Sequence, residues 1–116
     1  MGEIIVDKSI IDEDGFYDIC LKLISDDAIV KCNMYIYEDE VKKLKDNIRL
    51  MYEFKSKNYI FKYDAIGLCD NITLDFNVEE NGHVLIKYNI TNDENIFKSC
   101  ILTDLESMNN FIKDIK

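Results

Sequence analysis

Two runs constrain this chain more than anything else in it: FYDICLKLI (16–24) and AIVKCNMYIY (28–37), separated by almost nothing but two aspartates. Tyr17, Ile19, Leu21 and Leu23 are the apolar side of the first, and Val30, Cys32, Met34 and Ile36 that of the second. A period of two belongs to a strand with one buried face, because a helix would scatter these residues around its axis. Strands joined so closely pair as an antiparallel hairpin. Directly opposed residues share a face, so odd positions of the first strand must meet even positions of the second. A two-residue Asp26-Asp27 turn, with Ser25 opposite Ala28, does this. Leu21 then faces Cys32, while Cys20 faces Asn33 on the other side of the sheet. A Cys20–Cys32 disulfide is thereby excluded.

The rest of the chain continues the pattern. EIIVDK (3–8) reads as a preceding strand. After the hairpin, Val41, Leu44, Ile48 and Met51 recur at helical spacing within 38–57, with Lys42, Lys43, Lys45 and Arg49 largely off that stripe. This predicts an amphipathic helix laid on the sheet, its leading acids favoured by the helix dipole. Three strands follow, at NYIFKYDAI (58–66), NITLDFNVE (71–79) and HVLIKYNIT (83–91). Between the last two, a three-residue Glu80-Asn81-Gly82 loop with Gly82 left-handed pairs Val78 with Val84, Phe76 with Ile86, Leu74 with Tyr88 and Ile72 with Ile90. A two-residue Asn-Gly turn would mix the faces. IFKSCIL (96–102) is a seventh strand. Residues 103–116 form a terminal helix, with Thr103 and Glu106 at capping-box spacing and Leu105, Met108, Phe111, Ile112 and Ile115 as its apolar stripe. The expected fold is α+β: one domain over 1–116, a mostly antiparallel sheet of six or seven strands with two helices on one face, in the order βββαββββα.

At 116 residues and 47% hydrophobic, the chain is long and apolar enough for one core. Its net charge of -9 argues against nucleic acid, whose readers need a basic footprint, and against an anionic membrane surface. No leader-like or membrane-spanning stretch is visible, so a soluble cytoplasmic protein is expected. Cys20, Cys32, Cys69 and Cys100 are scattered without a C-x-x-C pair and His83 is the single histidine, a pattern of small buried hydrophobes rather than of zinc ligands. No cofactor or metal is expected.

The segment IIDEDGFYDI (10–19) is the candidate for chemistry. A calcium loop with Gly15 at its sixth position would start at Ile10 and end at Leu21, and neither side chain is an oxygen ligand. General acid–base work needs carboxylates in different environments, or a partner base, and neighbouring acids in one turn supply neither. No nucleophile, phosphate-loop or metalloprotease motif is present. An enzyme is therefore not expected.

Carrying the hairpin register past its end sets Asp14 near Asp39 and Glu13 near Glu40, so Asp12-Glu13-Asp14 and Glu38-Asp39-Glu40 should meet at one end of the sheet. Beside them, on the face opposite the apolar stripe, fall Phe16, Asp18, Tyr35 and Tyr37. Aromatics flanked by acids make a candidate surface for a basic protein, since aromatic anchors dominate interface energetics and acidic rims speed encounter. The alternative readings are a solvated turn next to a helix N-terminus, with the aromatics covered by other elements of the fold.

The whole pattern resembles a known family. The strands before the first helix, DAIGLCDNITLDFNVEENGHVLIKYNIT (64–91) and the ending CILTDLESMNNFIKDI (100–115), with Asp104-Leu105 and Phe111, resemble WapI-like immunity proteins. These protect bacteria from the toxic tips of their own contact-dependent polymorphic toxins. A tryptophan often found near the end of that family's third strand has no counterpart here. The resemblance implies a non-enzymatic inhibitor that binds a cognate, basic toxin domain in the cytosol. The rival expectations are a small-ligand-binding or regulatory module, and a structural subunit that forms a homodimer through the same aromatic face.

Overall fold

The computed structural model describes residues 2–65 and 69–115. Among them lie β1 (Glu3–Ile11), β2 (Phe16–Ile24), β3 (Ile29–Tyr37), α1 (Glu38–Tyr52), β4 (Asn58–Tyr63), β5 (Asn71–Val78), β6 (His83–Thr91), β7 (Ile96–Asp104) and α2 (Leu105–Asp114). Class and order are as expected. All strand pairs are antiparallel, but they divide into two sheets, β1-β2-β3 and β4-β5-β6-β7.

Both expected registers are present. Leu21 opposes Cys32, Cys20 opposes Asn33, and the Ser25 N–H donates to the Ala28 carbonyl at 2.9 Å across the Asp26-Asp27 turn. Cys32 is fully buried, and desolvation pushes its thiol up to about 12. In the second hairpin Val78 meets Val84 and Phe76 meets Ile86, while Gly82 has φ +81°, the left-handed bulge position that glycine occupies without a Cβ clash. β4 is shorter than expected: Asp64 and Ala65 lie beyond it, and Ile66 falls outside the described residues. β1 is longer, running to Ile11 past a register shift between Val6 and Lys8, where Asp7 lies near Lys22 (3.5 Å) and Lys31 (3.8 Å).

One core joins the elements. It holds Ile19, Leu21, Leu23, Cys32 and Met34 from the first sheet and Leu74, Phe76, Val84, Ile86 and Ile101 from the second. The helices add Val41, Leu44, Ile48, Met51, Met108, Phe111 and Ile112. α1 touches β2, β3 and β4, α2 touches β1 and β7, and the helices touch each other, so each helix spans both sheets.

The helix ends correct two expectations. Thr103 stays in β7, buried opposite Val84, and Asp104 is the N-cap of α2, accepting from the Ser107 N–H at 2.7 Å. A buried inner-face threonine cannot also turn outward to cap a helix, so the next residue does. α1 stops at Tyr52 rather than running to residue 57. The Phe54 N–H donates to Met51 O at 3.0 Å and the Lys55 N–H to Leu50 O at 2.8 Å, a Schellman ending with Phe54 left-handed at φ 61°.

Two seams connect the sheets. At one, the Gly2 N–H donates to Leu102 O at 2.8 Å, tying the start of β1 to β7. At the other, side chains close the outer edge of β3. Asn33 donates to Asp70 Oδ2 at 2.9 Å and its carbonyl accepts from the Asp70 N–H at 3.1 Å. The Tyr63 hydroxyl both accepts from the Tyr35 N–H and donates to Tyr35 O, each at 3.1 Å. An open strand edge is otherwise a row of unpaired amides. Here Tyr63 brings β4 alongside β3.

Candidate functional site

The β2–β3 ladder ends at Phe16–Tyr37. The expected facing pairs Asp14–Asp39 and Glu13–Glu40 are therefore not formed as rungs, because both chains leave the ladder there. One enters the β1–β2 turn and the other starts α1. The two acidic runs still lie at the same end: the Glu38 N–H donates to Gly15 O at 2.9 Å, and a Cβ on Gly15 would sit 3.3 Å from Glu38 Cδ. That carbonyl takes one of the orphan N–H groups at the start of α1, where Tyr37 supplies no side-chain cap. Glu38, Asp39 and Glu40 form the first turn, favoured by the helix dipole.

Asp12 organises the turn. Its Oδ1 accepts from the N–H groups of Asp14 at 2.9 Å and Phe16 at 3.0 Å, and Gly15 follows at φ +85°. Its Oδ2 accepts from the Tyr35 hydroxyl. That bond, with the backbone donors, holds the Asp12 carboxyl below its ordinary value and pushes the Tyr35 phenol up to about 12. The turn is thereby tied to the aromatic group. Phe16 stacks on Tyr35 with centroids 4.8 Å apart and 8° between planes, and meets Tyr37 edge-on at 5.2 Å and 64°. Both distances suit aromatic pairing.

Phe16, Tyr35, Tyr37 and Glu40 line one side of a groove of about 290 Å³, completed by Ile36 and by Phe61, Lys62, Tyr63 and Asp64 from β4 and its end. Phe61 and Tyr63 are nearly buried and Tyr37 is 40% exposed, which gives an apolar base and an open aromatic wall. The remaining expected residues take other places. Asp18 is paired with Lys8 at 2.9 Å, opposite Tyr35 in the ladder. Glu13, Asp14 and Asp39 are exposed and do not line the groove. The β4 contribution was not anticipated. Its signal in the sequence is the alternation Tyr59, Phe61, Tyr63, but nothing local says that this strand end lies against Tyr35, 28 residues earlier.

Among the described residues, no group of three or more histidine, cysteine, aspartate or glutamate side chains is placed to hold a metal ion, and no helix is long and apolar enough to cross a membrane. No family model, curated protein or solved structure matches the chain.

Proposed function

We propose that this chain is a non-enzymatic binding protein of the immunity type, which neutralises a basic toxin domain in the cytoplasm by covering part of its surface. The observation that carries the reading is the stacked Phe16–Tyr35 pair with Tyr37, open to solvent over an apolar base and bordered by Asp12, Glu38, Glu40 and Asp64. Rigid aromatics bury much apolar area at little conformational cost, and surrounding carboxylates steer a cationic partner and reject acidic ones. A net charge of -9 extends that steering beyond the site. The groove's volume, about 290 Å³, lies at the lower limit of small-molecule pockets, roughly 300–1,000 Å³.

The test is a toxin domain encoded beside this gene, expressed with and without the chain. Cells should survive with the wild type and lose protection with Phe16→Ala/Tyr37→Ala. Charge reversal is best made at Glu13 and Asp14, leaving the turn-forming Asp12 in place. Glu13→Lys/Asp14→Lys should slow association roughly tenfold or more at low salt, with the difference shrinking at high salt. Full protection by the aromatic double variant would overturn the reading.

A further inference from the structure

The groove has a more specific chemistry than acidity. Its base is Ile36, Phe61 and Tyr63, its wall is the aromatic group, and two of its lining residues are carboxylates, Glu40 and Asp64. Neither makes a hydrogen bond or ion pair with the described residues, whereas Asp12 is held by the turn and Asp18 by Lys8. Lys62 is the basic side chain of the lining, and it too has no ion pair among the described residues. An entering cation must therefore shed water against apolar surface, lie along an aromatic ring and reach a carboxylate at the rim.

An ammonium meets these demands poorly. It is a compact, strongly hydrated point charge, and the apolar base returns little of its hydration. A guanidinium is flat, more weakly hydrated, and stacks on an aromatic face while its in-plane N–H groups pair with a carboxylate. We infer that the groove between β3 and β4 is a receptor for an arginine side chain of the partner protein, stacked against Tyr37 and Phe16 and paired with Glu40. The inference rests on the proposed function in taking the partner to be a basic protein, and adds that the groove selects arginine over lysine.

The experiment is an NMR titration of the full chain with two capped peptides, Gly-Arg-Gly-Arg-Gly and Gly-Lys-Gly-Lys-Gly, following the ring resonances of Phe16, Tyr35 and Tyr37. The arginine peptide should shift them saturably, with half-saturation at least fivefold below that of the lysine peptide. Tyr37→Leu, at a side chain 40% exposed and so tolerant of change, should bring the two peptides level. Glu40→Gln should weaken the arginine peptide at least threefold, while Glu80→Gln, in the exposed β5–β6 turn and not part of the groove lining, should leave the ratio between the peptides unchanged. Equal binding of both peptides at these rings would overturn the arginine selectivity and leave the basic-partner reading standing. Shifts elsewhere, or none, would overturn the groove as a receptor. The neutralisation assay would then decide the wider reading separately.

Discussion

Tyr63→Phe is the smallest change that tests how the groove is built. The hydroxyl accepts from the Tyr35 N–H and donates to Tyr35 O, both at 3.1 Å, and Tyr63 is only 9% exposed. Removing one oxygen leaves the ring packed and deletes both bonds at once. Each bond contributes about 0.5–1.5 kcal/mol net, so the variant should lose about 1–3 kcal/mol. A loss of about 2 kcal/mol lowers the melting temperature of a chain this size by roughly 6–10 °C. In urea the midpoint should fall by about 1 M with the slope unchanged, since the area exposed on unfolding is the same. Amide hydrogen exchange supplies the local readout: the Tyr35 amide should lose protection beyond the global change, while Leu21 and Ile86, in the ladders of the two sheets, follow the global change alone. A stability loss under about 0.5 kcal/mol with Tyr35 protection unaltered would refute the closure of the β3 edge by Tyr63.

Three further outcomes follow from local geometry. Gly15→Ala places a Cβ 3.2 Å from a Tyr37 ring carbon at φ +85°, whereas Gly82→Ala at φ +81° meets nothing within 4 Å. Both should lose about 1–2 kcal/mol for the left-handed backbone, and Gly15→Ala should lose measurably more in urea unfolding and displace the Tyr37 ring resonances. Phe54→Gly, at an exposed left-handed position closing α1, should raise stability by about 1 kcal/mol by relieving the same penalty. The Tyr35 phenol is raised from 10.0 to about 12 chiefly by its bond to Asp12, and Asp12→Asn should bring it back toward 10. Because the folded value is raised, its contribution to stability is complete below pH 10 and lost between pH 10 and about 12. Asp12, held below its ordinary 3.8, contributes above that value and ceases to as pH falls through its lowered one. Tyrosine absorbance and unfolding midpoints across pH check both signs.

Local patterns along the chain already carry much of the fold. Alternation at 17–23 and 30–36 specified two strands, and the requirement that opposed residues share a face fixed their register, because a slip of one residue would turn every core side chain to water. The same reasoning at Glu80-Asn81-Gly82 fixed the β5–β6 register. Helical periodicity placed α1 and α2, and the register alone put Phe16, Tyr35 and Tyr37 on one face beside an acidic end. All these are local rules, acting over a turn or a hairpin.

The remaining features come from contacts between partners far apart in the chain. The division into two sheets depends on where Gly2 and Leu102 meet and on Asp70 and Tyr63 closing the edge of β3. The ladder's end at Phe16–Tyr37, and with it the separate placing of the acids, depends on α1 starting at the next residue. The second side of the groove comes from β4, whose approach to Tyr35 is set by the shared core and carries no mark in either local sequence. A pattern of apolar residues states which face of an element is buried. Which other element buries it, and which side chains meet at the boundary, is settled only when all the faces are packed together.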